Sequence, residues 1–175
     1  MQLLRGPESD TGTDRERFET LYRSCRDDVY AYVMTLLREP AAAEDVTALA
    51  FERAYRRRRS FDRRRGEERA WLFGIARNAA LDELRRRRRL APLVVEPEAA
   101  ALETADEEDV LLRRTAVRGA LAELRGRDRE LIALKFHAGL GNAEIGRVLG
   151  VSESNAGTML HRAVQKLREA CNAAV

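Results

Sequence analysis

The sequence is poor in the residues that most often announce a chemical site. Its two cysteines, Cys25 and Cys171, lie far apart, and its two histidines, His137 and His161, have no cysteine or second histidine nearby. This excludes a recognisable zinc-ligand spacing and a disulfide framework. Aromatic residues make up 6% of the chain against 35% charged. Bulky side chains are too few for one large core and suit two compact units better. Four prolines, at positions 7, 40, 92 and 97, leave long stretches open to helix. Alternating β-branched runs of useful length are missing, so strands have no support. No apolar run approaches the roughly 18 residues of a membrane span. The N-terminus also lacks a signal-peptide core, and the chain is expected to work in the cytoplasm. A Gly-rich phosphate loop, a Ser-His-Asp order and a placed carboxylate pair are all missing, so neither an enzyme nor a cofactor is expected.

What the chain does contain is Ala, Leu, Arg and Glu, all helix-favouring, and an all-α fold is the economical reading. The formal net charge is only +3 with a pI near 9.2, but the charges are segregated. Between Arg53 and Arg65 eight arginines face one acid, Asp62, and Arg85 to Arg89 is an unbroken basic run. Glu96 to Asp109 holds seven acids and no base. Arginine almost replaces lysine, with Lys135 and Lys166 the only exceptions. Segregation on this scale points to a polyanionic partner for the basic parts.

Residues 1–13 carry Gly, Pro, Ser and Thr without period and read as a flexible tail, after which Asp14 can cap a helix. Phe18, Leu21, Tyr22, Cys25, Val29, Tyr32, Val33, Leu36 and Leu37 recur at helical spacing. Pro40 ends that helix and starts a second, with Glu44 and Asp45 expected in its first turn, where the dipole favours acids. Its inner stripe is Val46, Leu49, Ala50 and Ala54, with Phe51 and Tyr55 beside it. A basic loop, Arg56 to Gly66, leads to a third helix from about Glu67 to Arg89, with Leu72, Ile75, Ala76, Ala79 and Leu84 inside. These elements form a first domain over residues 14–89. Residues 90–112, with Pro92, Pro97 and the whole acidic cluster, read as a linker.

A second domain is expected over residues 113–175. Val117, Leu121 and Leu124 are periodic, Gly126 marks a turn, and Leu131, Ile132, Leu134 and Phe136 form another apolar stripe. Asn142 to Leu149 reads as a short helix. Gly150-Val151-Ser152 follows as a tight turn with an apolar plug and a serine N-cap. A longer helix, Glu153 to about Ala170, then buries Ala156, Leu160, Ala163, Val164 and Leu167. Short helix, glycine-bearing turn and second helix together make a helix-turn-helix signature.

Two stretches carry a family resemblance. PAAAEDVTALAFERAYRRRRSFD followed by RGEERAWLFGIARNAALDELRRRRR resembles the second region of the extracytoplasmic-function sigma factors of bacterial RNA polymerase. LAELRGRDRELIALKFHAGLGNAEIGRVLGVSESNAGTMLHRAVQKLR resembles their fourth region, and the order and spacing match as well. The resemblance implies a DNA-binding initiation factor without enzymatic activity, made of two helical domains joined by an acidic linker. The implied partners are core RNA polymerase, through its largest-subunit clamp coiled coil and its flap, promoter DNA, and the anti-sigma factor that members often have. Membrane insertion is not implied.

The resemblance also implies residue roles. Glu44, Asp45, Val46, Phe51 and Arg53 would dock on the polymerase clamp. Opening a duplex leaves an unstacked base that needs an aromatic wall and an amide able to read its edge. Phe61 and a Phe73/Trp71 pair offer the wall, and Asn78 stands at the position of the family's base-reading asparagine. Asp82 completes that minus-10 surface, with Arg63, Arg64, Arg77, Arg85 and Arg86 on phosphates. Ser152, Ser154, Asn155, Thr158, His161 and Arg162 would contact the minus-35 element. The acidic linker either mimics a nucleic-acid strand in the polymerase channel or is simply solvated. Two departures stand out. Ala48 and Leu49 replace a usual Gln-Glu pair, and Gly157 and Met159 replace a basic residue and an arginine. By itself the helix-turn-helix would equally suit a stand-alone operator-binding regulator, and stoichiometric binding to core polymerase separates the two readings.

Overall fold

The computed structural model describes residues 9–62, 64, 66–90 and 117–173. Among these, every regular element is helical. Nearly all of the expected acidic linker, and Arg63 of the basic loop, fall outside the described residues.

Helix α1 spans Ser9–Leu37. It begins earlier than a cap at Asp14 would allow, so Gly12 lies within it. Adding turns to an existing helix is cheap compared with nucleating one. Leu21, Cys25, Val29, Tyr32, Val33 and Leu37 are buried on one face. The helix stops at Arg38, whose φ of 58° is left-handed and whose N–H donates to the Met34 carbonyl at 2.9 Å. Glu39 is extended (φ −143°, ψ 117°), as the residue before a proline prefers.

Helix α2, Pro40–Arg57, starts on that proline. Glu44 and Asp45 are not in its first turn. The helix start is served instead by Glu39, whose carboxylate accepts from the Ala41 and Ala42 N–H groups, each at 2.9 Å. A residue ahead of the first turn can reach the free N–H groups, whereas side chains one turn in point outward beside it. A 3-10 turn, Arg58–Ser60, opens the basic loop, and α3 runs over Glu68–Leu90.

The second half begins with α4, described over 117–123. Helix α5 is Gly126–Phe136, α6 is Asn142–Leu149 and α7 is Glu153–Ala173. Helix α5 is the hub of this half. Glu130 to Leu134 are buried consecutively, that is, on nearly all sides. Phe136, expected on the inner stripe, is 66% exposed because it is the last residue of α5 and lies beyond its packing partners.

The two halves are packed together. Helix α5 lies on α1, α6 lies on α3, and one apolar core runs through both halves. At the seam, Arg77 donates to Glu130 at 2.5 Å. Tyr32 donates to the same carboxylate at 3.3 Å and Arg127 at 3.4 Å. Burial, with Glu130 beside it, pushes the Tyr32 hydroxyl well above its ordinary range, so it stays a protonated donor. Arg69 adds a second tie, donating to the Ala138 and His137 carbonyls and to Asp28.

A separate network closes the far end of α3. Arg87 donates to Glu39 at 2.7 Å and to Glu83 at 2.8 Å, and Arg86 donates to both oxygens of Glu83 at 2.7 Å. These hydrogen bonds, Arg86 first, hold the Glu83 carboxyl at about 2, down from 4.5. A depressed carboxylate stabilises the fold fully above its unfolded value and loses that contribution as pH falls toward the folded value. Because the first partner, Arg86, is largely exposed and screened by water, Glu83→Gln should cost only about 1 kcal/mol at neutral pH. Chemical denaturation should show the gap between variant and parent narrowing from pH 4.5 downward. A gap independent of pH would refute the electrostatic origin.

Candidate nucleic-acid interfaces

Helix geometry sorts the α3 residues into faces. At about 100° per residue, positions 71, 74, 78, 82 and 85 fall within one sector of roughly 80°, while 69, 73 and 77 fall on the opposite side. The first set faces away from the domain. Asn78, Asp82 and Arg85 are exposed and Trp71 is half-buried. Asn78 has no hydrogen-bond partner among the described residues. The second set faces inward. Phe73 is fully buried, with its ring edge-to-face against Tyr32 at 5.4 Å. A Phe73/Trp71 wall is therefore ruled out, because residues two apart on a helix cannot share a face.

The aromatic surface is built from Trp71 and Phe61, whose rings lie 5.3 Å apart. Arg17 sits over Phe61 with its guanidinium carbon 5.3 Å from the ring centre, and also pairs with Glu68 at 3.0 Å. Sequence reading missed Arg17. It comes from α1, more than forty positions from Phe61, with no local signal to mark it. Of the expected phosphate contacts, Arg64 is exposed. Arg77 is held at the seam by Glu130, and Arg86 is paired with Glu83. Asp82 accepts from Arg85 at 3.1 Å and from Arg53 at 3.5 Å. It positions two arginines at the edge of the Asn78 face.

The expected clamp-docking set divides in the same way. Glu44 and Asp45 are exposed on α2, and Arg53 is half-buried against Asp82. Val46 and Phe51 are only 4% and 5% exposed. Phe51 packs against Tyr22 at 4.8 Å and Phe18 at 6.4 Å. Both pack inside the domain and cannot serve as outer contacts, whereas Glu44 and Asp45 remain exposed.

In the second half, α6 and α7 form the expected helix-turn-helix. Gly150 takes the left-handed conformation, φ 70°, at the end of α6, which glycine adopts without penalty. Position 146 needs glycine for space, since a Cβ there would stand 2.8 Å from the Val151 carbonyl oxygen. The Ser152 hydroxyl accepts from the Asn155 N–H at 3.2 Å, capping α7. Ala156, Leu160 and Ala163 are buried beneath α7. Ser152, Ser154, Asn155, Thr158, His161 and Arg162 are all exposed. An open groove of about 890 Å³ is lined by Ser152, Ser154, Thr158 and His161 together with Asn142, Glu153 and Gly157. The last three were not anticipated as contacts. Among the described residues no group of His, Cys, Asp and Glu is arranged to hold a metal, and no helix is long and apolar enough to cross a membrane. Ser152→Ala removes the α7 cap and should lower stability by about 1 kcal/mol. A drop in thermal midpoint with unchanged helix content tests this, and an unchanged midpoint would show that the cap contributes nothing.

Comparison with known proteins covers both halves. Residues 21–90 match Sigma-70 region 2 and residues 114–167 match Sigma-70, region 4. The chain is 35% identical over 158 residues to the ECF RNA polymerase sigma factor BldN of Streptomyces coelicolor, spanning 88% of this chain and 60% of BldN. It is 32% identical over 143 residues to the ECF RNA polymerase sigma factor SigL of Mycobacterium tuberculosis, spanning 80% of each. Among solved structures, the sigma factor RpoE in complex with the anti-sigma factor NepR from Bartonella quintana shares the fold. Its TM-score is 0.73 at 22% identity, over 90% of this chain and 98% of that one. CnrH in complex with the cytosolic domain of CnrY does so with a TM-score of 0.66 at 23% identity, over 91% and 90%. With both regions present, in order, on a matching all-helical fold, the chain belongs to the ECF sigma factors of the sigma-70 family, which are transcription initiation factors and not enzymes.

Proposed function

We propose that the outward face of α3 reads the minus-10 strand and that the α7 groove reads the minus-35 duplex. The family function is to bring core RNA polymerase to a promoter and start melting there. One observation carries the assignment to α3. Asn78 is an exposed amide in mid-helix without an internal partner, aligned with Trp71 above it and Arg85 below. Asparagine is a poor helix residue, and its acceptor and donor suit the edge of an unpaired base. The tilted Phe61–Trp71 pair offers that base a stacking surface. Glu44 and Asp45 of α2 then face the polymerase clamp, with the second half on the flap. Acting on polymerase puts the protein in the cytoplasm. An anti-sigma factor is a further partner in this reading, since the related RpoE structure is a complex with the anti-sigma factor NepR.

The packed arrangement of the two halves cannot be the promoter-bound one. Elements about 25 base pairs apart, at about 3.4 Å per step, are roughly 85 Å apart. A compact chain of this length has a radius of gyration of about 16 Å, so its faces lie no more than about 40 Å apart. The halves must part, and the bonds of Glu130 must break when they do. Opening frees Arg77 for a phosphate.

Asn78→Ala should reduce promoter opening about ten- to a hundredfold, the range expected for losing one base-reading pair. Binding to core polymerase should not change. Permanganate footprinting beside a core-binding assay reads both, and normal melting with alanine at 78 would remove the amide from the site. Glu130→Gln leaves Arg77 and Arg127 without their countercharge at the seam. It should enlarge the free protein in small-angle scattering at unchanged helix content and speed promoter binding. An unchanged radius would mean that the seam does not govern opening.

A further inference from the structure

We propose that Asn142, on the first helix of the helix-turn-helix, reads a base of the upstream element through the gap that Gly157 leaves in the recognition helix. The inference rests on α7 entering the major groove, and adds a specificity residue from outside α7.

Position 157 lies one turn after Glu153 and one turn before His161, in the middle of the face of α7 that lines the groove. A side chain at that point would ordinarily face DNA. Glycine supplies none and is a poor choice for a helix interior. The space is not left open. A Cβ at 157 would stand 3.1 Å from the Asn142 Nδ2 and 3.7 Å from its Cγ. The carboxamide of α6 therefore lies directly against the place where the residue-157 side chain would begin, and a side chain there would have to displace it slightly.

Asn142 is exposed, lines the groove and has no hydrogen-bond partner among the described residues. In a helix-turn-helix the first helix ordinarily crosses the phosphate backbone, and the second supplies base contacts. Here the second helix is thinned at its centre, and the amide of the first lies against it. An asparagine amide pairs in two-point fashion with N6 and N7 of adenine. The neighbouring Ser154 and Thr158 hydroxyls both donate and accept, and so discriminate less. The Asn142 amide is thus the group in this groove best suited to select adenine.

The test uses the full chain in reconstituted holoenzyme, with selection from a library randomised across the upstream element. The unmodified protein should select adenine at one position, and Asn142→Ala should lose that preference by about ten- to a hundredfold. Preferences elsewhere and the salt dependence of binding should be preserved. Asn142→Asp keeps the shape but only accepts, and should move the preference toward cytosine, whose N4 donates. Gly157→Ala pushes a methyl against the amide and should erase the same preference, with no further loss in the double variant. Thermal melting of each variant shows that the fold survives. If Asn142→Ala leaves selection intact and weakens binding equally on every sequence, Asn142 holds only a phosphate and the proposal falls. If neither selection nor affinity moves, it falls as well. If the unmodified holoenzyme shows no preference anywhere upstream, the assignment of α7 itself is wrong, which is a distinct result.

Discussion

The packed form of this sigma factor depends on one buried carboxylate. Glu130 comes from α5, is 5% exposed and is met by Arg77 from α3, Tyr32 from α1 and Arg127 from its own helix. A carboxylate removed from water is costly unless its oxygens are fully bonded. Two of its three donors, Arg77 and Tyr32, are available only when the two halves are together, so the seam has a defined register. The net stability from such a site is small, because desolvation offsets most of the attraction. That balance suits a contact that breaks in the proposed promoter-bound form. A purely apolar seam of the same area would hold the halves together more firmly and specify their register less.

The two surfaces proposed to face DNA follow from how the helices are shared. Each sector of α3 has a different task. Phe73 anchors to α1, Arg69 and Arg77 reach the second half, and Trp71, Asn78 and Arg85 are left outward. The seam uses the sector opposite the proposed reading face, so packing the halves together leaves Asn78 exposed. The packed form leaves that face uncovered, and what it withholds is the reach between the two proposed surfaces. In the proposed opening, the Arg77 guanidinium that bonds Glu130 in the packed form would be released.

In α7, the glycine at 157 has two consequences. It removes a side chain from the middle of the recognition face, and it lets Asn142 approach from the helix before it. The same economy appears at Gly146, where the absence of a Cβ brings the turn close enough for Val151 to plug it. Both glycines weaken a helix locally and let two helices approach at short range.

The all-helical class, the helix breaks at Pro40 and Gly150 and the helix-turn-helix were legible in the sequence. They follow from local rules, namely hydrophobic period, proline geometry and capping chemistry, that act within a few residues. Asn78 stood out in the sequence as a short amide in mid-helix between basic runs, and the structure shows that it is exposed; its reading role is the proposal made above. Other features depend on which residues meet across space, and no local rule specifies that. Phe73 and Trp71 are near neighbours in sequence but lie on opposite sides of α3, and Phe61 turned out to be the true partner of Trp71. Glu39, not Glu44 or Asp45, served the α2 terminus, because the proline set the helix start one turn earlier. Arg17 over Phe61, Arg77 on Glu130 and Asn142 against Gly157 join positions that local patterns do not link. The sequence by itself determined the helices and the chemistry they carry, because those depend on neighbours along the chain. Only the tertiary structure decided which arginines are free, which aromatics face out and that the two halves close on one carboxylate, because burial and pairing depend on neighbours in space.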